Sequence, residues 1–410
     1  MNNSCVKRAL VALVISAAAL AFAQEKKETI RPEVGKPLQA AQELLKAQKP
    51  KDALGEIGKA DAVPNKTPLE SYLVDRMRAS AAAAAGDVPM AIQAFEAVIA
   101  SGRLTPAEQL PMIQALAGSY YRNKDYPKAI AWAARYYREG GTDPSLRLLL
   151  IHSYYQNGEY DAAAQESLAD IQADEKGGKP PPEDRLQLLA NAYLKLGDTN
   201  RYAYALEKLV TYYPKKEYWT DLILRTQKRP TFGERLSLDV MRLRLANGTL
   251  ETPEEYMELA QMALQAGFPA EAMQVVEKGY EAKLLGMGAN ADRHKRMREL
   301  AQKQLADDRK ALAQKKTLDA ALAQKDGIAL VDIGYAFVTD GQFDKGLELM
   351  ERGIAKGVSD AKRPQDAKLH LGVAYYMAGQ KDKAAAIFPT VEGVHGAADM
   401  GRLWAIRARQ

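Results

Sequence analysis

Cysteine is nearly absent from this 410-residue chain: the single one, Cys5, sits among the first few residues. Disulfides and thiol chemistry are therefore excluded from everything downstream, and stability has to come from packing. Cys5 also precedes the first apolar run instead of ending it, which excludes the arrangement that tethers a lipid-modified terminus. Long apolar runs are equally scarce. The run from Ala9 to Phe22 is 14 residues, below the roughly 18–20 that a membrane-spanning helix needs. Charge of one sign is not in excess either: the formal charge is +5 and falls to +3 if Lys7 and Arg8 leave with a leader, a value that demands no nucleic acid. Histidine occurs four times, at His152, His294, His370 and His395, and never in an H-E-x-x-H pair or a dense ligand cluster, so no metal site is expected. Gly35-Lys36 and Gly178-Lys179 are each followed by proline and lack the glycine of a phosphate loop, and no G-x-S-x-G elbow exists. Carboxylates are scattered over polar helix faces. Catalysis and cofactors are not expected.

What is present begins with an address. Lys7 and Arg8 precede the apolar run, and small residues frame its end as Ala21-Phe22-Ala23. This is the form of a secretory signal peptide over 1–23, with cleavage between Ala23 and Gln24. The expected compartment is the periplasm of a Gram-negative bacterium, with no stable membrane anchor after cleavage. Residues 24–36 are charged and carry no apolar period, so they read as a disordered lead-in. Residues 24–410 exceed what one compact core usually serves, leaving several domains or a solenoid.

Internal repetition favours the solenoid. Over residues 368–388, Leu371, Gly372, Tyr375, Gly379, Ala384 and Phe388 follow L-G-x2-Y-x3-G-x4-A-x3-F. Leu371 and Tyr375 share one helical face, Ala384, Phe388 and Val391 form the matching stripe of a second helix, and Gly379 turns between them. Gly372 and Ala384 are expected to mark the closest approach of the two helices. Small-residue anchors comparable to Ala384 fall at Ala53, Ala91, Ala129, Ala163, Tyr202, Ala272 and Gly346, at intervals of 38, 38, 34, 39, 70 and 74, with 38 more to Ala384. The two doubled intervals imply degenerate units at about 216–249 and 290–325. Tyr202 and Gly346 depart from the pattern, and Pro389 should kink or end its helix early. Residues 397–410 read as a closing helix with Leu403, Trp404 and Ile406 inward. The stretch 174–184, with Gly177, Gly178 and Pro180–Pro182, reads as a surface loop and solvated connector.

The pattern resembles the tetratricopeptide repeat (TPR). That resemblance implies an all-α, right-handed helical solenoid of about ten helix pairs, two of them degenerate: N-terminal repeats over 37–215, degenerate repeats flanking one clear repeat over 216–325, and C-terminal repeats with the closing helix over 326–410. It also implies that the first helix of each unit lines a concave groove. By register, the groove residues are Tyr121, Arg122, His152, Tyr155, Gln156, Asn191, Lys195, Tyr335, His370, Tyr376 and Met377. Of the doublets Tyr120-Tyr121, Tyr154-Tyr155 and Tyr375-Tyr376, one ring should enter the core and one the groove. Tyrosines mixed with Arg, Asn and Gln suit an extended peptide. Gln187 stands where a carboxylate-clamping lysine would be, so no such clamp is expected.

The function implied is a non-catalytic scaffold for a protein or peptide, similar to accessory parts of cell-wall, secretion or TonB-type envelope machines. Two alternatives stand beside it. One is a carbohydrate-active or lytic cell-wall enzyme built on helical repeats. The other is a peripheral membrane protein using 293–316, where nine Lys or Arg face Glu299, Asp307 and Asp308 and could make weak contact with anionic lipid. A solvated helix face accounts for the same charges.

Overall fold

The computed structural model describes residues 29–359 and 363–410; the expected leader and its cleavage point lie outside them. The described residues form 21 α-helices and no strand. None of these helices is long and apolar enough to cross a membrane. Two compact units divide within one helix, after Asp170.

The helix starts are written in the sequence. Proline occupies the first helical turn repeatedly, where its missing N–H costs nothing, and Thr67, Thr105 and Thr252 form capping boxes with Glu70, Glu108 and Glu255. Gly86 and Gly379 adopt positive φ at hairpin turns (+79° and +73°), a conformation that an L side chain resists.

The first unit contains α1 (Pro32–Lys46), α2 (Pro50–Asp61), α3 (Pro68–Ala85), α4 (Val88–Ala100), α5 (Pro106–Arg122), α6 (Tyr126–Arg138), α7 (Pro144–Gln156) and most of α8 (Tyr160–Lys176). Helices α1 and α2, α3 and α4, and α5 and α6 pair, and each pair packs on the next. The anchors Ala53, Ala91, Ala129 and Ala163 are fully buried, as the interval pattern requires. One expectation fails: α1 begins at Pro32, inside the stretch read as a disordered lead-in. Val34, Leu38 and Ala41 are buried at helical spacing, and Glu70 fastens the residue before the helix: its carboxylate accepts from Arg31 N (2.9 Å), Arg31 Nε (3.0 Å), Arg31 Nη2 (2.8 Å) and Thr67 N (2.9 Å). Apolar periodicity cannot reveal such an ionic tether.

The second unit contains α9 (Glu183–Lys195), α10 (Thr199–Tyr212), α11 (Lys216–Gln227), α12 (Ser237–Ala246), α13 (Pro253–Gln265), α14 (Pro269–Glu281), α15 (Ala291–Leu312), α16 (Lys315–Ala323), α17 (Ile328–Thr339), α18 (Phe343–Lys356), α19 (Arg363–Met377), α20 (Lys381–Ile387) and α21 (Ala397–Ala408). The stretch 174–184 is loop only between α8 and α9; Asp174–Lys176 and Glu183–Asp184 are helical, and Pro181 is buried. Each doubled interval does hold two helices, α11 with α12 and α15 with α16. Neither pair is a regular hairpin, however, and α15 packs chiefly on α14 and α13.

Two packing expectations are corrected. The atoms nearest a Cβ on Gly372 would be those of the Phe388 ring, not Ala384, so its smallness seats that aromatic. The backbone-to-backbone approach lies instead between α17 and α18, where a Cβ on Gly334 would stand 2.6 Å from Gly346 O, and one on Gly346 2.6 Å from Gly334 O. Gly346, a departure from the pattern, is thus a place where even alanine is too large. As expected, α20 ends at Ile387; Pro389 lies in a 3-10 turn, Phe388–Thr390. Val391 is therefore off the helix, though buried. In α21, Leu403 and Trp404 face inward, but Ala405 and Ala408 do so in place of half-buried Ile406.

This closing helix does more than cover the last pair. It also packs on α10 and α12: Arg402 Nε donates to Glu207 Oε1 (2.8 Å), Arg229 Nη1 to Asp399 Oδ1 (2.7 Å), Gln410 Nε2 to Val210 O (2.6 Å) and Gly233 N to His395 O (3.0 Å). The second unit therefore returns on itself.

Candidate functional site

In the first unit, the predicted groove residues sit at the C-terminal ends of α5 and α7. Tyr120 is buried, while Tyr121 is half-buried and packs edge-on against Tyr126 with ring centres 5.8 Å apart. One repeat later Tyr155, also half-buried, meets Tyr160 in the same way at 5.3 Å. Tyr154 is itself only half-buried, so that doublet does not split as expected. Each outer ring is held by the first residue of the following helix. The exposed Arg122 donates from Nη2 to Ser119 Oγ (2.9 Å) and has no ion-pair partner among the described residues; desolvation pushes its pKa down. His152 is half-buried and Gln156 exposed. These residues form a surface of two fixed rings, one cation without a counter-ion and an exposed amide.

In the second unit, Asn191 and Lys195 are exposed on α9 beside Leu194. The remaining candidates are not groove residues. Tyr376 and Met377 are half-buried, and Tyr376 lies beneath α21, 5.4 Å from the Trp404 ring. Tyr335 is 1% exposed. His370 directs Nε2 to Asp239 Oδ1 at 3.0 Å. All four lie on the first helices of their units, but contacts with other parts of the second unit cover them.

Tyr335 and His370 instead wall a buried charge cluster. Arg242, on α12, donates from Nε and Nη2 to the two oxygens of Glu271, each at 2.7 Å, and from Nη1 to Asp239 Oδ1 at 2.9 Å. Its guanidinium lies 4.7 Å from the Tyr335 ring centre and 5.4 Å from that of Phe268. Burial alone would raise the Asp239 carboxyl; His370 and Arg242 outweigh that and lower it to about 2. Burial likewise opposes the charge on Arg242, but Glu271 and Asp239 together hold its pKa above normal. Burial also pushes the Tyr335 hydroxyl well up. The cluster opens onto a cavity of about 470 Å³ lined by residues of α12, α15, α17 and α19 and by the α13–α14 turn.

Sequence reasoning missed Asp239, Arg242 and Glu271. A signal existed: Asp239 and Arg242 stand three apart among Leu238, Val240, Met241 and Leu243, so α12 has no polar face to put them on. On α15, the basic stretch is partly neutralised by Arg298–Glu277 (2.6 Å), Arg309–Asp340 (2.7 Å), Lys310–Asp307 (3.6 Å) and Lys295–Glu299 (3.9 Å). His294 is buried and accepts from Gly286 N through Nδ1 (3.1 Å).

A family model described as tetratricopeptide repeat matches residues 76–144 and 331–389. These segments contain the anchors Ala91, Ala129, Gly346 and Ala384. Among solved structures, the TPR2AB domain of yeast Sti1 in complex with pHSP90 aligns at 13% identity and a TM-score of 0.25, over 74% of this chain and 100% of that one. Naa15/Naa10 bound to HypK-THB aligns at 15% identity and a TM-score of 0.29, over 90% of this chain and 59% of that one. No curated protein matches the chain.

Proposed function

We propose that this chain, which is a tetratricopeptide-repeat protein, is a non-catalytic scaffold exported to the periplasm, where it holds an extended segment of a protein partner as an accessory part of an envelope complex. The observation that carries the reading is the repeated tyrosine device of the first unit. Tyr121 on Tyr126 and Tyr155 on Tyr160 place two braced rings at the same register of successive repeats. A ring already held in place spares the ordering cost of about 0.5–1.5 kcal/mol that a free side chain incurs on docking. Rings spaced by the repeat suit a chain running across several helices, whose carbonyl or carboxylate groups Arg122 would receive.

The test is photocrosslinking in intact cells with the reactive group at exposed Gln156, and at exposed Gln165 on α8 as control. Gln156 should capture a defined partner and Gln165 should not, and replacing Tyr121 and Tyr155 together by alanine should reduce capture by about tenfold or more with helicity unchanged. Equal capture from both positions, or capture indifferent to the tyrosines, overturns the reading. Mass spectrometry of the periplasmic fraction should find a chain starting at Gln24; retention in the cytoplasm refutes export. Muropeptides released by the purified chain from peptidoglycan would refute the non-catalytic part.

A further inference from the structure

The cavity of the second unit has a charge pattern that the scaffold reading leaves unused. Its two lining arginines are already occupied. Arg242 is held by Glu271 and Asp239, and Arg235 donates to both oxygens of Asp366 from Nε (3.1 Å) and Nη2 (3.0 Å). Neither has a charge left for an incoming anion. Of the lining carboxylates, Asp239 is paired through one oxygen only and Asp308 is unpaired among the described residues. Asp239 is 3% exposed; its Oδ1 takes both Arg242 and His370, and among the described residues no donor reaches its Oδ2. Half-buried Asp308 has neither hydrogen bond nor ion pair among the described residues, and Arg309 beside it is spent on Asp340. Burial, with Asp340 nearby, pushes the Asp308 carboxyl up, the direction an incoming cation would reverse. Asp332 also lines the cavity and has contacts of its own.

Beside these charged groups and Thr317, the wall carries the apolar side chains of Leu238, Leu312, Ile333 and Ala336. A bare inorganic cation would gain nothing from such a wall. An ammonium group on an aliphatic stem uses both parts, the stem against hydrocarbon and the head against carboxylate.

We propose that this cavity binds an aliphatic primary amine, with Asp239 and Asp308 receiving the ammonium group and Leu312, Ile333 and Ala336 receiving the alkyl chain. Two sources share that chemistry, a free diamine and the lysine side chain of a partner. The site is independent of the tyrosine surface of the first unit, so either can fail alone.

The test is calorimetric titration of the full mature chain at low ionic strength with pentane-1,5-diamine and with Nα-acetyl-lysine amide, using pentane-1,5-diol as neutral control. The amines should bind at one site per chain and the diol should not. Tighter binding of the diamine assigns a free amine, and tighter binding of the lysine derivative assigns a protein side chain. Asp308→Asn, at a half-buried position that folding tolerates, should weaken the amine by about tenfold or more, and Ala311→Leu at the exposed cavity rim should weaken it too. No amine binding up to about 10 mM, binding of the diol as strong as the amines, or affinity unchanged in Asp308→Asn overturns the proposal.

Discussion

Two glycine-to-alanine replacements in helix interiors should move stability in opposite directions. At an unconstrained helical site the change stabilises by about 0.5–1 kcal/mol, because alanine loses less backbone entropy on folding. Gly58 in α2 is such a site, exposed and with nothing within 4 Å of a built Cβ. Gly346 in α18 is the opposite case. Its Cβ would lie 2.6 Å from Gly334 O and 2.8 Å from Val338 N. Both are backbone atoms that cannot rotate away, so α17 and α18 have to separate. Overpacking of a close interior costs about 1–3 kcal/mol, and separation also strips contacts from Val338 and Met350, both fully buried. With the propensity gain deducted, Gly346→Ala should destabilise by up to about 2.5 kcal/mol, whereas Gly58→Ala stabilises by up to about 1 kcal/mol.

Thermal unfolding followed by circular dichroism reads the pair. A change of 1 kcal/mol moves Tm by about 2–4 °C in a unit of 150–250 residues, so the two variants should straddle the parent by several degrees. Because two units need not unfold together, hydrogen exchange should place the loss from Gly346→Ala in the second unit. If Gly346→Ala is as stable as Gly58→Ala, the α17–α18 approach is not as close as described, and the reasoning from glycine contacts fails with it.

Two more predictions concern the buried charges. Arg242→Met leaves Glu271 and Asp239 without their main partner and should cost about 3–5 kcal/mol, measured by urea unfolding of the second unit, while the double change with Glu271→Leu should recover part of the loss; equal stability of Arg242→Met and the parent would refute the cluster. Glu70 in the first unit is lowered to about 2, mainly by the Arg31 side-chain hydrogen bonds, and Asp239 in the second is lowered to about 2. Depressed carboxylates contribute stability above their unfolded pKa and lose it as pH falls through the folded one, so Tm should drop between about pH 4.5 and 2, with the drop diminished in Glu70→Gln; a flat Tm over that window would refute the assigned ion pairs.

The regular units were legible because the residues that define them act locally. Ala91, Ala129 and Ala384 announce a helix contact through their size alone, and all three are fully buried. Gly346 was legible as an anchor but not as the site of a backbone contact, since that depends on Gly334 facing it across the interface. Tyr121 and Tyr155 were placed from register, and their braces, Tyr126 and Tyr160, recur at the same spacing and could have been read with them. Tyr335 and His370 lay beyond such reading. Tyr335 packs on Phe268 and Arg242, and His370 pairs with Asp239, all contacts between residues far apart in sequence. No local pattern encodes contacts of that range.

The irregularities of the repeat and the position of the cavity have one origin. Halving the doubled intervals puts the missing small anchors at residues 237 and 309. Two of the three carboxylates that line the cavity, Asp239 and Asp308, stand within two residues of those points. A regular unit would carry an alanine or glycine there and draw its two helices together, as Ala272 and Ala384 do. A carboxylate cannot enter a helix contact without a partner, since its desolvation would cost several kcal/mol; Asp239 is buried with Arg242 and His370 as its partners, whereas Asp308 stays half-buried, and both face the cavity lined by α12, α15, α17 and α19. In this chain, a break in the repeat pattern is the sequence-level sign of a cavity, and the residue type that replaces the anchor sets the chemistry of what the cavity can hold.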